Sequence, residues 1–296
     1  MSVIRTVNAM QTEAEAARRG ERRLALVPTM GALHDGHRAL VRRAKREADH
    51  VTVSIFVNPT QFGPGEDLDA YPRDLDGDLE KLDALGGVDA VFAPSSEEMY
   101  PLGAPRTWVA VEGLTDTLNG RYREGHFRGV TTVVTKLFNA CRPHVGVFGE
   151  KDAQQLVVLR RMAEELRVGV EVVGVPTQRE ADGLACSSRN AYLTDEERAQ
   201  APVLSEAVAA ARTMIAAATE EQPAEMVVRR MRNILRGASR AETQYVAVVD
   251  ARDLQPVETL RPGDDVLAAT AVFFGDTRLI DNAFVTVGTD EEGEKE

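Results

Sequence analysis

The sequence predicts an α/β protein in two parts: a parallel sheet with crossover helices, then a smaller C-terminal α+β domain. Three observations carry this. Short β-branched runs alternate with amphipathic stretches through the first 177 residues, the rhythm of parallel strands joined by crossover helices. A run such as "VTVSIFVNP" (Val51 to Pro59) is continuous and β-branched, as in strands covered on both faces. After Thr177 the order becomes helices followed by strand-like runs, which fits a separate α+β unit. The first part is therefore a Rossmann-like layered sheet.

Taken in order, "LALVPT" (Leu24 to Thr29) is a buried strand. "HRALVRRAKREA" follows as a helix, with Leu40, Val41, Ala44 and Ala48 on one face and arginines on the other. After the strand at Val51 come a helix in "DLDGDLEKLDAL", a strand in "VDAVFAP" and another in "TWVAVEG". "GVTTVVTKLFNAC" sets Val130, Val133, Val134, Leu137, Phe138 and Cys141 at helical spacing. "HVGVFGEKD" is strand then loop, "AQQLVVLRRMAEEL" a helix and "VEVVGVPT" a strand. The first domain thus spans 1–177. A polar loop, "QREADGLACSSRNAYL", opens the second domain, 178–288. Two helices, about 195–218 and 223–236, precede strands in "TQYVAVVD", "VLAATAVFF" and "TRLIDNAFVTV". The acidic tail, 289–296, reads as solvated and disordered.

Composition excludes several classes of function. Thirty-five Lys and Arg stand against 47 Asp and Glu, a net charge of −12. A general nucleic-acid binder needs the opposite field, although a local cationic pocket for a small anion remains open. Cys141 and Cys186 are the only cysteines, too few and too far apart for a disulfide framework or zinc cluster. The N-terminus has no apolar core of signal-peptide length, and no apolar run approaches the ~20 residues of a membrane span. The expectation is a cytoplasmic protein with neither nucleic acid nor membrane as partner.

"PTMGALHDGHRALV" (Pro28 to Val41) places His34 and His37 three residues apart beside Gly31 and Gly36. A metal site, a pair of core imidazoles and a clamp for a phosphate chain compete. Ligands gather at the carboxyl ends of strands in open α/β sheets. Here a strand end meets a helix start, whose N–H groups favour anions, with Asp35 as the expected N-cap. Imidazoles there could donate to phosphate oxygens, or take protons as charge builds on a leaving group. Zinc fits poorly, because the usual His-Glu-x-x-His spacing is absent. Three further segments follow strands or join the domains. "NPTQFGPGEDLDAYPRD" offers neutral amides, Asn58 and Gln61, for a small polar substrate. "GEKDAQQ" offers Lys151 as a point charge for phosphate, Asp152 as a helix cap or ribose acceptor, and Gln155 one turn on. "CSSRNAYL" offers Ser187, Ser188 and Arg189, donors suited to a triphosphate, on a loop able to close over nucleotide. "NGRYREGHFRGV" adds Arg121, Arg123, His126 and Arg128, which could equally be a solvated loop. Cations and hydroxyls collected at strand ends of an acidic protein point to a polyanionic nucleotide. With no covalent nucleophile in evidence, chemistry by positioning and charge stabilisation follows.

"PTMGALHDGH", "SIFVNPTQF", "GEKDAQQL" and "READGLACSSRNAYL", in this order, closely resemble the pantothenate synthetase (pantoate–β-alanine ligase) family, from about Leu24 to about Val287. The first also resembles the His-x-Gly-His signature of the wider adenylyl-transferring superfamily. The resemblance implies an ATP-dependent, AMP-forming ligation of pantoate to β-alanine through a pantoyl adenylate, with Mg2+ accompanying ATP. It implies that His34, His37 and Lys151 serve catalysis, and that Lys151, Ser187, Ser188 and Arg189 hold the phosphates. Gln61 and Gln155 would hold pantoate with Asn58 nearby, Gly149 and Asp152 would contact ribose, and Met30 would line the adenylate. Gln178 stands where a small aliphatic residue beside adenine is usual, which is harmless if its backbone makes the contact. The resemblance further implies a homodimer joined through the N-terminal domain and a C-terminal lid. Metal ligands are unassigned; Asp78 is a candidate, or else faces solvent on a helix. Two other functions compete: a nucleotidyltransferase acting on a phosphorylated acceptor, and a nucleotide sensor without catalysis. The neutral amides disfavour the first, and the histidines with Lys151 disfavour the second.

Overall fold

The computed structural model describes residues 1–289; the acidic tail beyond Thr289 lies outside the described residues, and so does the expectation of disorder there. The chain forms two compact units. The first comprises Met1–Thr115, Gly120–Glu150 and Val158–Thr177. The second comprises Asp116–Asn119, Lys151–Val157 and the chain from Gln178 onward.

As far as Thr177 the elements are β1 (Ser2–Ile4), α1 (Val7–Arg19), β2 (Leu24–Thr29), α2 (Asp35–Glu47), β3 (His50–Ile55), α3 (Leu75–Leu85), β4 (Ala90–Phe92), α4 (Ser96–Met99), α5 (His126–Cys141), β5 (Val145–Gly149), α6 (Ala153–Glu165) and β6 (Glu171–Val175). Among the described residues the sheet has six strands in the order β1-β4-β3-β2-β5-β6, with every pairing parallel. The expected parallel sheet is therefore present. Its strands are buried because helices cover it, as the β-branched runs predict. Val27, Val53, Val91, Val147 and Val173 form one core with Val41 and Ala44 of α2 and Leu82 of α3.

Two local differences stand out. β1 and α1 occupy a stretch that the sequence reading tested only for a leader. Thr6 caps α1 by accepting from Ala9 N, and Met10, Ala14 and Ala17 are its buried face. The strand expected in "TWVAVEG" is absent. The Val109 N–H instead donates to the Thr132 hydroxyl at 3.0 Å, and the Val109 carbonyl accepts from Thr131 at 2.6 Å. Hydroxyls of α5 satisfy a β-prone backbone that has no neighbouring strand.

The second unit contains α7 (Asp195–Gln200), α8 (Val203–Ala216), β7 (Gln222–Pro223), α9 (Glu225–Leu235), β8 (Ala241–Asp250), β9 (Thr259–Leu260), β10 (Asp265–Phe274) and β11 (Thr277–Thr286). Strands β11, β10 and β8 make an antiparallel sheet. Helices α8 and α9 pack on it, burying Leu204, Ile215, Met231, Leu235 and Phe274. The single helix expected over 195–218 is two. Pro202, which has no N–H to continue α7, stands at the N-terminal cap of α8.

Candidate active site

The order of strands reverses at β2. From β2 the chain runs outward through β3 and β4, then returns to the other side of β2 as β5. Such a switch point opens a crevice at the carboxyl ends of its two strands. Met30 and the histidine segment leave β2 there, and Gly149 ends β5 beside it.

The turn after β2 is held from below. The Thr29 hydroxyl donates to the Ser54 carbonyl at 2.8 Å and accepts from Gly31 N at 3.2 Å. Gly31 has φ +86° and Ala32 φ +51°, a left-handed conformation that costs a non-glycine residue about 1–2 kcal/mol. Asp78 of α3 offsets that cost. It accepts from Ala32 N on Oδ2 and from Leu33 N on Oδ1, both at 2.8 Å. A Cβ on Gly31 would sit 2.9 Å from Asp78 Oδ2, so the carboxylate needs glycine at that position. Asp78 does not face solvent: it is 1% exposed. Its oxygens are engaged by two backbone donors and face Lys81 at 3.4 Å, so it fits a clamp on the turn and not a magnesium ligand.

The N-cap of α2 is His34, not Asp35, which is the first helical residue. His34 Nδ1 accepts from Gly36 N at 3.1 Å, and His37 Nδ1 accepts from His34 N at 3.2 Å. An Nδ1 that accepts carries no proton, so each ring proton sits on Nε2. With Nδ1 accepting, each imidazole presents its Nε2–H as a donor. Their ring centroids are 4.2 Å apart.

Asn58 precedes a 3-10 turn, Pro59–Gln61, and is 1% exposed. Its Oδ1 accepts from the Tyr100 hydroxyl at 2.7 Å, and its Nδ2 donates to Gln61 Oε1 at 3.0 Å. Gln61 Nε2 reaches Met30 Sδ at 3.2 Å, so this loop meets the histidine segment directly. Burial pushes the Tyr100 hydroxyl up, against a smaller opposing effect of its Thr60 bond; it stays a neutral donor. At Gly149 a Cβ would touch nothing nearer than Leu40 Cδ2 at 4.0 Å, which leaves the backbone open to approach.

The other expected residues belong to the second unit. Lys151 lies in a 3-10 turn ahead of α6, with Nζ 3.9 Å from Asp152 Oδ1. Its carbonyl accepts from Asn282 Nδ2 at 2.7 Å. Gln155 is half-buried. Its neighbour Gln154, which sequence reasoning passed over, is 2% exposed and bonds Asn119 N and the Thr117 carbonyl. The Gln178 carbonyl accepts from Cys186 N at 2.9 Å. Ser187 caps a 3-10 turn, Ser188–Tyr192, that contains Arg189. Arg198 bonds Glu180 and Asp182 at 2.6 Å each, and Asn190 bonds Glu180. This loop is anchored within its own unit.

A family model described as pantoate-beta-alanine ligase matches residues 2–284. The chain belongs to the pantoate–β-alanine ligase family. The family catalyses ATP-dependent condensation of pantoate with β-alanine to pantothenate, releasing AMP and pyrophosphate, and that is the reaction of this ligase. The pantothenate synthetase of Salinibacter ruber is 64% identical over 97% of this chain and 98% of its own length. That of Heliobacterium modesticaldum is 52% identical over 97% and 100%. The solved pantothenate synthetase of Thermus thermophilus superposes with a TM-score of 0.86 at 44% identity, covering 96% of this chain and 99% of that one. The ligase of Francisella tularensis, complexed with beta-gamma ATP and beta-alanine, gives 0.77 at 30% identity, over 96% and 97%. These solved relatives share the parallel sheet and the smaller C-terminal part. No helix among the described residues is long and apolar enough to cross a membrane.

Proposed function

We propose that the reaction runs through a pantoyl adenylate made in the crevice at β2 and β5. The pantoate carboxylate attacks the α-phosphorus of ATP and pyrophosphate leaves. The β-alanine amine then attacks the acyl carbon and AMP leaves. What supports this is the histidine pair, two neutral Nε2–H donors at the start of a helix, beside a loop of uncharged amides. The donors meet charge that grows on the departing phosphates, where fixed dipoles act most strongly. His34, His37 and Lys151 serve that step, and Ser187, Ser188 and Arg189 grip the phosphate chain. Gln61 and Gln155 read the pantoate hydroxyls with Asn58 behind them. Gly149 and Asp152 meet the ribose, Met30 lines the adenylate and the Gln178 backbone meets adenine.

Among the described residues no cluster of three or more His, Cys, Asp or Glu could hold a metal. In this reading Mg2+ arrives with ATP on its phosphates, where it would supply charge neutralisation. A cytoplasmic homodimer joined through the first domain completes the reading, and light scattering should return twice the chain mass. The deciding assay mixes the protein with ATP, Mg2+, pantoate and β-alanine. AMP release should require both pantoate and β-alanine in steady state. AMP formed without pantoate would overturn the proposal.

A further inference from the structure

The loop from Asn119 to Gly129 has no role so far, yet a chain of bonded groups in it ends on Gln61. Arg123 and Glu66 pair through two bonds, Nε to Oε1 at 2.7 Å and Nη2 to Oε2 at 2.6 Å. The two side chains are only 17% and 25% exposed. Burial pushes the Glu66 carboxyl up, but its bonds to Arg123 and the guanidinium charge outweigh this and hold it below its ordinary value. The pair is ionised and rigid.

Arg123 Nη1 lies 3.0 Å from His126 Nε2, and His126 Nδ1 lies 2.7 Å from the Gln61 carbonyl oxygen. A guanidinium only donates, so Nε2 accepts and the ring proton is on Nδ1. That proton is given to the Gln61 carbonyl. His126 and Gly129 stand three residues apart on α5, where side chains share a face. The same face lies against the 3-10 turn: a Cβ on Gly129 would overlap the Thr60 carbonyl and come within 2.8 Å of Gln61 Cα. The Gly129 carbonyl also accepts from Asn58 Nδ2 at 3.3 Å.

We infer that His126 is a positioning residue for pantoate: it pins the backbone at Gln61, so that the Gln61 amide is presented at a fixed height, while Arg123, braced by Glu66, sets the ring's tautomer. The inference rests on the proposed contact of Gln61 with pantoate. It also sets His126 apart from the histidine pair of α2. Those at α2 have backbone donors on Nδ1 and carry the proton on Nε2; His126 is the reverse, and gives its proton to backbone.

The test is a pair of substitutions read by steady-state kinetics. In His126→Asn the amide nitrogen falls near the position of Nδ1 and keeps the donor to Gln61. In His126→Gln it falls near Nε2 and loses that donor. His126→Gln should raise the KM for pantoate about tenfold, the effect of one lost orienting bond, and leave the KM for ATP within about twofold. His126→Asn should bring the pantoate KM back to within about threefold of the parent. Arg123→Met, which frees the ring to change tautomer, should raise the pantoate KM in the same selective way and carries the test if His126→Gln does not fold. Equal pantoate KM values for the Asn and Gln variants, or an ATP KM that rises in step, would overturn the inference. Gln61→Ala keeps the two layers apart. A raised pantoate KM there with none in His126→Gln removes the positioning role only; no change in Gln61→Ala removes the Gln61 contact and the inference with it.

Discussion

His34 caps a helix and, in the proposed reaction, offers a donor to phosphate, and two substitutions separate these tasks. His34→Ala should cost about 1 kcal/mol of stability through the lost cap and slow adenylate formation about 10²–10³-fold through the lost donor. His34→Asn should restore the melting temperature, since Asn caps well, without restoring the single-turnover rate. A parent-like rate in either variant would contradict the role. His50 tests a different property. It is 1% exposed, and among the described residues neither ring nitrogen has a hydrogen-bond partner. Burial holds its pKa below the ordinary 6.5; Asp89 opposes this and Arg22 adds to it. The unfolded chain therefore takes up a proton near pH 6.5 that the folded chain resists, and stability falls as pH drops through that value. His50→Phe should flatten the fall in melting temperature between about pH 7 and about pH 5; an unchanged slope would place the titration elsewhere. At this scale the sequence singled out the turn that carries His34 and His37, because glycine and histidine spacing is local. Asp78 escaped it. The carboxylate acts on Ala32 and Leu33, 46 and 45 residues earlier, and only tertiary structure joins them.

Among the elements, α5 packs on the Pro59–Gln61 turn, and Gly129 makes that approach possible. Gly129→Ala forces a Cβ into the Thr60 carbonyl. Overpacking of this kind costs about 1–3 kcal/mol and should also raise the pantoate KM by shifting Gln61. Gly63→Ala is the control, as its Cβ would find nothing nearer than Glu66 at 3.9 Å; it should melt and turn over like the parent. An unaffected Gly129→Ala would show the turn to be pliable. The central strands and crossover helices were readable because each is periodic and buried. The errors fell where that logic stops. "TWVAVEG" has strand residues, but its backbone partners are threonine hydroxyls of α5. At 195–218 the helical period continues across Pro202, so periodicity concealed a break that proline chemistry discloses.

At the scale of the molecule, the apolar core of the second unit draws on residues from Leu184 to Val287, whereas part of its polar bonding comes from much earlier in the chain. Asn119 Oδ1 accepts from Arg278 at 2.6 Å and from Tyr245 at 3.1 Å, and the Lys151 carbonyl accepts from Asn282. A fragment of residues 178–289 should therefore unfold cooperatively in calorimetry, at a lower temperature than the corresponding transition of the full chain. A featureless trace would mean that 116–119 and 151–157 are required for the unit to fold at all. Alternating strands and helices in the sequence revealed two architectures, but not these borrowed segments, which look like ordinary loop and helix start. Their origin bears on how the protein is made. Asn119 and Arg278 are 159 residues apart, and a ribosome adding ~5–20 residues per second needs roughly 8–32 s to span that gap. Until that interval ends Asn119 lacks the Arg278 guanidinium, so final assembly of the second unit waits on the last strand to emerge.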